Sequence, residues 1–277
     1  MVESVVLWRR LVGAQVRSQL QYRLSFALDF AGSFAIAFID FLAVLLIFHN
    51  VPSLNTFFHN VPSLNTWSVH QVAFLYALSS ISFAFTDLLI GHLDQFPQKI
   101  RDGNFDILLV RPRGTLFQVV ASDLALRRLA KAAQGVLVLA WALGPLAIDW
   151  TPARVAVLAL AIPSGVVIFA SVWVVGGCLA FWTTDGGEFT NAFTYGGTFL
   201  TQYPIDVYAA WLRRLLAYLV PLAFVCYFPA LSVLDKPDPL GLPQFLNFCS
   251  PLAAAAAAVV AGFVWRFAVR HYRSAGG

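Results

Sequence analysis

The sequence is poor in charge. Asp, Glu, Lys and Arg make up 12% of its 277 residues, about half of what a soluble globule carries. Cysteine is scarce as well. Cys178, Cys226 and Cys249 form no CxxC pair and have no histidine cluster near them. That pattern excludes a disulfide framework and a thiolate metal centre, and reads as three small buried hydrophobes. GxSxG, HExxH and paired-carboxylate patterns are missing, so no catalytic residue and no metal ligand is assigned. The phosphate-cradling GxxxxGKS/T loop is missing too. The chain is therefore not expected to hydrolyse ATP by itself, and needs no cofactor of its own.

What it has instead is apolar mass. The sequence is 59% hydrophobic, with 25 Phe, 8 Trp and a mean hydropathy of +0.74. Such a composition belongs in a bilayer. The net charge of +4 then points to the anionic lipids of the inner leaflet rather than to nucleic acid. The first apolar run begins too late, after too many polar residues, for a cleavable signal peptide.

Runs of about 20 apolar residues suffice to cross the hydrocarbon core as helices. Six are placed, at Leu24–Phe48, Trp67–Leu93, Leu129–Ile148, Val155–Trp182, Leu215–Leu234 and Leu246–Val269. None alternates as a barrel strand would, so helices are the only fit. With the N-terminus inside, 16 of the 18 basic residues fall on the inner side, and only Arg154 and Lys236 fall outside. That asymmetry follows the positive-inside rule and favours an even number of spans, with both termini cytoplasmic. The expected fold is an all-α integral membrane protein with six transmembrane helices, forming one domain over 1–277. It comprises an interfacial helix (1–23), spans one and two (24–93), a cytoplasmic loop (94–128), spans three and four (129–182), a second cytoplasmic or interfacial segment (183–214), spans five and six (215–269) and a tail (270–277).

Several local patterns refine this layout. Trp8, Val12, Val16 and Leu20 recur every four residues, with Arg10, Arg17 and Gln21 on another face. The spacing predicts an amphipathic helix along the inner membrane surface. The first outer loop carries a tandem duplication, FHNVPSLNTF followed by FHNVPSLNTW, which makes His49 and His59 copies of one residue and poor metal candidates. Lengthening an exposed loop costs little. Two Gly-Gly pairs and Pro204 break the 183–214 segment, so it is expected to be partly interfacial, or else a re-entrant hairpin. Asp149 and Arg154 flank the turn between spans three and four and should pair there. Six consecutive alanines, Ala253–Ala258, open the last span and suit close helix packing.

Asp29, Asp40 and Asp87 fall inside spans. Intramembrane carboxylates are costly and are expected to face the bundle interior or a wet cavity. Asp29 and Asp40 are 11 residues apart, which leaves them about 20° apart on the helix. They form either a pathway or proton-coupling face, or a set of helix–helix hydrogen bonds.

The most informative stretch is a polar island, Asp94–Leu116 (DQFPQKIRDGNFDILLVRPRGTL), set between the second and third apolar runs. Gly103 and Pro112 should break helix within it. Between them lies a short apolar ridge, flanked by Arg101, Asp102, Asp106 and Arg111. A cytoplasmic loop of that kind suits either docking onto another protein or adhesion to lipid headgroups.

The island's residues Arg101, Gly103, Phe105, Asp106, Leu108, Leu109, Arg111 and Pro112 spell R-x-G-x-F-D-x-L-L-x-R-P. This resembles the cytoplasmic loop of a branch of type-2 ABC transporter permeases. PLAFVCYFP, with Pro221, Ala223, Phe224, Tyr227 and Pro229, is similar to a second motif of that family, as are Glu188 with Asn191 and Tyr203 with Pro204. The resemblance implies a six-span exporter subunit in a bacterial cytoplasmic (inner) membrane, and the duplicated outer unit departs from it. Its partners would be a P-loop ATPase subunit, which binds ATP and Mg, and a second permease copy or a related six-span chain. The eight island residues would couple to the ATPase, with Phe105, Leu108 and Leu109 filling a groove and Arg101, Asp106 and Arg111 setting orientation. A secondary transporter coupled to ions or protons through Asp29, Asp40 and Asp87 is the competing reading. No inverted repeat supports it.

Overall fold

The computed structural model describes residues 2–50, 67–183, 186–238, 241 and 243–272. All regular structure among these residues is helical. In chain order the helices are α1 (Val2–Gln21), α2 (Arg23–Asn50), α3 (Val69–Ile90), α4 (Phe96–Arg101), α5 (Asn104–Leu109), α6 (Thr115–Val120), α7 (Leu129–Leu143), α8 (Pro152–Cys178), α9 (Gly186–Thr201), α10 (Ala210–Arg214), α11 (Tyr227–Val233) and α12 (Ser250–His271). Among the described residues four segments are long and apolar enough to cross a membrane: Arg23–Leu46, Val69–Arg101, Pro152–Phe181 and Ser250–His271. Most of the duplicated loop, 51–66, lies outside the described residues.

α3 forms the centre. Every residue from Val72 to Ala84 is buried, which a helix apolar on all sides achieves only when neighbours surround it. It starts from a full capping box, in which Ser68 and Gln71 each bond the other's backbone. α7 and α8 pack on it, α12 packs on α8, and α2 packs on α7 at the rim. Glycines set the closest approaches. A Cβ on Gly135 of α7 would lie 2.8 Å from Ile81, and one on Gly176 of α8 would lie 2.8 Å from Thr190 of α9. Small residues at such crossings let apolar helices pack without a hydrophobic driving force. Of the alanine run of α12 only Ala254 is buried, in line with Ala261 and Ala268 at seven-residue spacing beyond the run.

The third and fifth expected spans differ from plan. α7 ends at Leu143, because Gly144 and Pro145 stop it five residues before Ile148. The fifth is no single helix. Ala210–Leu219 and Leu222–Val233 meet at 74°, where a π-helical stretch, Leu215–Leu219, gives way to Pro221. A proline ring supplies no N–H, and π turns are recurrent sites of kinking.

The 183–214 segment is not confined to a surface. α9 starts beside the C-terminal end of α8, passes Asp94 and Phe83 at Tyr195, and brings Thr201 to Ser79 in the middle of α3, with the two hydroxyl oxygens 2.6 Å apart. Thr190, Thr194, Thr198 and Thr201 are buried along it. Thr194 and Thr198 donate to the carbonyls one turn back, so no hydroxyl proton is left unmet at either.

The two basic residues that charge counting sets apart do lie at one end, opposite the island. Arg154 pairs with Asp235 at 3.0 Å, and Lys236 donates to Gln71 at 2.8 Å while lying over the Trp67 ring. Arg154 does not pair with the Asp149 carboxylate as expected. It donates to the Asp149 carbonyl at 3.1 Å, because α11 delivers a better-placed carboxylate.

Candidate functional site

The island is a folded unit built from the continuation of α3. One tight turn, Gly91–Gln95, leads into α4. Gly103 then adopts a left-handed φ of 69°, which a side chain would oppose, and reverses the chain into α5. After the 110–114 turn, with Pro112 in it, α6 returns. The two expected breaks are present. Gln118 of α6 closes the unit by donating to the Leu108 carbonyl at 3.0 Å and the Arg113 carbonyl at 2.7 Å.

Two contacts pin the island to the bundle. The first is Phe105, which is 0% exposed. Its ring meets Phe96, Phe181 and Tyr272 edge-on, at 5.5, 5.2 and 5.1 Å between centroids. Phe181 closes the end of α8, and Tyr272 follows α12, so one side chain ties the loop to both. Trp265 of α12 adds a ring contact and donates to Thr115 at 3.1 Å. The second contact is Asp94. Its two carboxylate oxygens accept from the Trp173 indole at 2.8 Å and the Tyr195 phenol at 2.9 Å. Each donor comes from a different long helix, α8 and α9.

The island's outer surface is different. Ile107, Leu109 and Val110 are 52%, 42% and 83% exposed, and Arg101, Arg111, Pro112 and Arg113 are exposed around them. Leu108 and Asp106 are half-buried, and Gly103 lies at the unit's corner. Phe105, expected to fill a partner's groove, is instead the loop's internal anchor. The exposed apolar ridge is Ile107, Leu109 and Val110. Alternation could have found this, since Phe105 and Leu108 fall on one side of a short helix and Ile107 and Val110 on the other.

The three carboxylates are not brought together. Asp87 is partly buried and pairs with Arg128 at 2.9 Å; the same guanidinium also bonds the Asp87 carbonyl. The pair fastens the end of α3 to the start of α7 across the island. Gly91 lies so close that a Cβ there would overlap both partners. Asp29 and Asp40 share a face of α2, as their spacing requires, but that face is exposed rather than turned into this chain's bundle.

Two features had no sequence signal. Gln15 and Gln19 of α1 bond the linker between α6 and α7: Gln15 donates to Ser122 at 3.0 Å, and Gln19 clasps the Leu124 carbonyl and the Leu126 amide. Val12 and Val16 pack beside them on Leu88, Leu124 and Leu126. The α1 stripe therefore faces protein over this half. The other feature is an open cavity of about 540 Å³ at the helix break. It is walled by Val175 of α8, Leu179 just after it, Phe193 of α9, Val220, Phe224 and Ala257, and so is almost wholly apolar.

A family model described as ABC-2 family transporter protein matches this chain over residues 34–276. No curated protein and no solved structure matches it.

Proposed function

Because the chain belongs to the ABC-2 transporter family, we propose that it is the membrane-spanning permease of an ATP-driven exporter, with the island as its coupling element to a separate P-loop ATPase. The observation that carries this reading is the island's two-sidedness. Its outer face presents Ile107, Leu109 and Val110 among arginines. Its inner face is fixed to α8, α9 and α12 through Phe105 and Asp94. A push on the outer face is thereby delivered to three helices at once.

The proposed topology has six crossings with both ends on the island's side, in a bacterial inner membrane. α3, α8 and α12 run toward the island, while α2 and α7 run away from it. α9 and the bent pair together make the remaining return. Two such chains, or one with a related permease, would enclose the pathway. The apolar cavity at the helix break supports a hydrophobic or amphiphilic substrate.

The test is co-purification of the chain with its neighbours in mild detergent. A stoichiometric P-loop ATPase, whose ATP turnover changes when the permease is present, is the expected result. Transport that persists without ATP and collapses with a protonophore would overturn the proposal.

A further inference from the structure

At the corner where α1 meets α2, an open crevice of about 360 Å³ is lined by residues of three segments. Ser18 and Tyr22 come from α1 and its junction, Ser25 and Asp29 from α2, and Asp123 and Arg127 from the linker that follows the island. The walls are held from elsewhere. Gln15 and Gln19 tie α1 to the linker, and Arg128 ties the linker to α3. One oxygen of Asp123 is occupied by the Leu124 amide at 2.8 Å.

Asp29 and Arg127 face this gap without being paired. Among the described residues neither side chain has an ion-pair or hydrogen-bond partner. Asp29 lies in the second turn of a segment apolar enough to cross a membrane. A carboxylate at that depth is costly unless a cation meets it. The crevice therefore offers two carboxylates, Asp29 and Asp123, and a guanidinium, Arg127, that form no ion pair with one another among the described residues. An occupant carrying one charge of each sign fits both. Leu24 and Leu28, exposed on α2 beside the crevice, extend the surface along the apolar direction.

We propose that this crevice binds the headgroup of a phospholipid bearing a primary ammonium, as in phosphatidylethanolamine. The phosphate lies against Arg127, the ammonium donates to Asp29 and Asp123, and the acyl chains follow Leu24 and Leu28. Arginine is suited to the phosphate. A primary ammonium gives the carboxylates three hydrogen-bond donors, which a choline group cannot. The proposal needs the α1–α2 corner at the bilayer surface, and does not depend on coupling to an ATPase.

The experiment is native mass spectrometry of the full chain in detergent, titrated with ethanolamine, choline and glycerol phospholipids of identical acyl chains. The intact chain should retain the ethanolamine lipid roughly tenfold better than the choline lipid, the scale of a charge-assisted hydrogen bond. Asp29→Asn should abolish that preference. Arg127→Gln should weaken all three lipids, and Asp40→Asn, on the same face of α2, should change nothing. Should Asp29→Asn fail to fold, Ser25→Trp, which fills the crevice, should remove the bound ethanolamine lipid. Equal retention of the ethanolamine and choline lipids, or a preference for the glycerol lipid that survives in Arg127→Gln, would overturn the assignment.

Discussion

Asp94 accepts a hydrogen bond from the Tyr195 phenol at 2.9 Å, across 101 residues of sequence. The contact joins the first residue of the island to the middle of α9, and Trp173 of α8 completes it on the other carboxylate oxygen. A carboxylate held by two donors from two helices transmits displacement better than apolar packing does, because hydrogen bonds are directional. Tyr195→Phe should therefore leave the permease folded and its ATPase bound, yet reduce substrate stimulation of ATP turnover several-fold. Asp94→Asn should behave alike. Turnover assays on the reconstituted complex check both, and full stimulation in the two variants would remove Asp94 from the coupling route.

Phe105 and Val110 should separate folding from docking. Phe105→Ala empties an aromatic socket and should cost about 3–5 kcal/mol, seen as a lowered unfolding temperature in detergent. Val110→Asp alters only the exposed ridge. It should leave thermal stability unchanged and weaken ATPase binding at least tenfold.

The Asp87–Arg128 pair is an anchor by this account, and not a proton site. Removing either partner should destabilise by about 3 kcal/mol, because the other is left partly buried and unpaired. The double variant Asp87→Ala/Arg128→Ala should lose less than the sum of the two. Gly91→Ala should mimic the single losses, since its methyl would displace both side chains. Chemical denaturation of the four variants gives the comparison, and strict additivity would argue against the pair.

Gly165 of α8 sets the approach of α8 to α3. A Cβ there would lie 2.8 Å from Ser82 Cβ. Gly165→Ala should destabilise by about 1–3 kcal/mol, and Ser82→Gly in the same chain should recover most of it. Unfolding midpoints of the single and double variants decide this.

Much of this architecture was legible in the sequence, and for physical reasons. Lipid admits only helices and closed barrels, and the apolar runs do not alternate as barrel strands would, so four long apolar helices could be read from the sequence alone. Gly103 and Pro112 marked breaks because their backbone chemistry allows little else. α9 was harder, since Gly-Gly pairs and threonines look like surface chain. Thr190, Thr194 and Thr198 fall at four-residue spacing, however, and small hydroxyl side chains that bond their own helix can enter a tight bundle beside Gly176. Asp29 and Asp40 were placed correctly relative to each other, while the direction of their shared face depended on where α7 packs, which no local pattern encodes. The 74° bend after Leu219 was likewise hidden, because Pro221 within an apolar run permits either a kinked span or a break.

The central claim is that the island's exposed ridge touches a P-loop ATPase. A photo-crosslinking residue at Val110 in the intact membrane tests it most directly, with Trp150 in the turn between α7 and α8 as the control position. The account predicts an adduct to a P-loop ATPase from position 110 and none from position 150. Adducts to lipid alone from position 110, in cells where the ATPase is present, would contradict it.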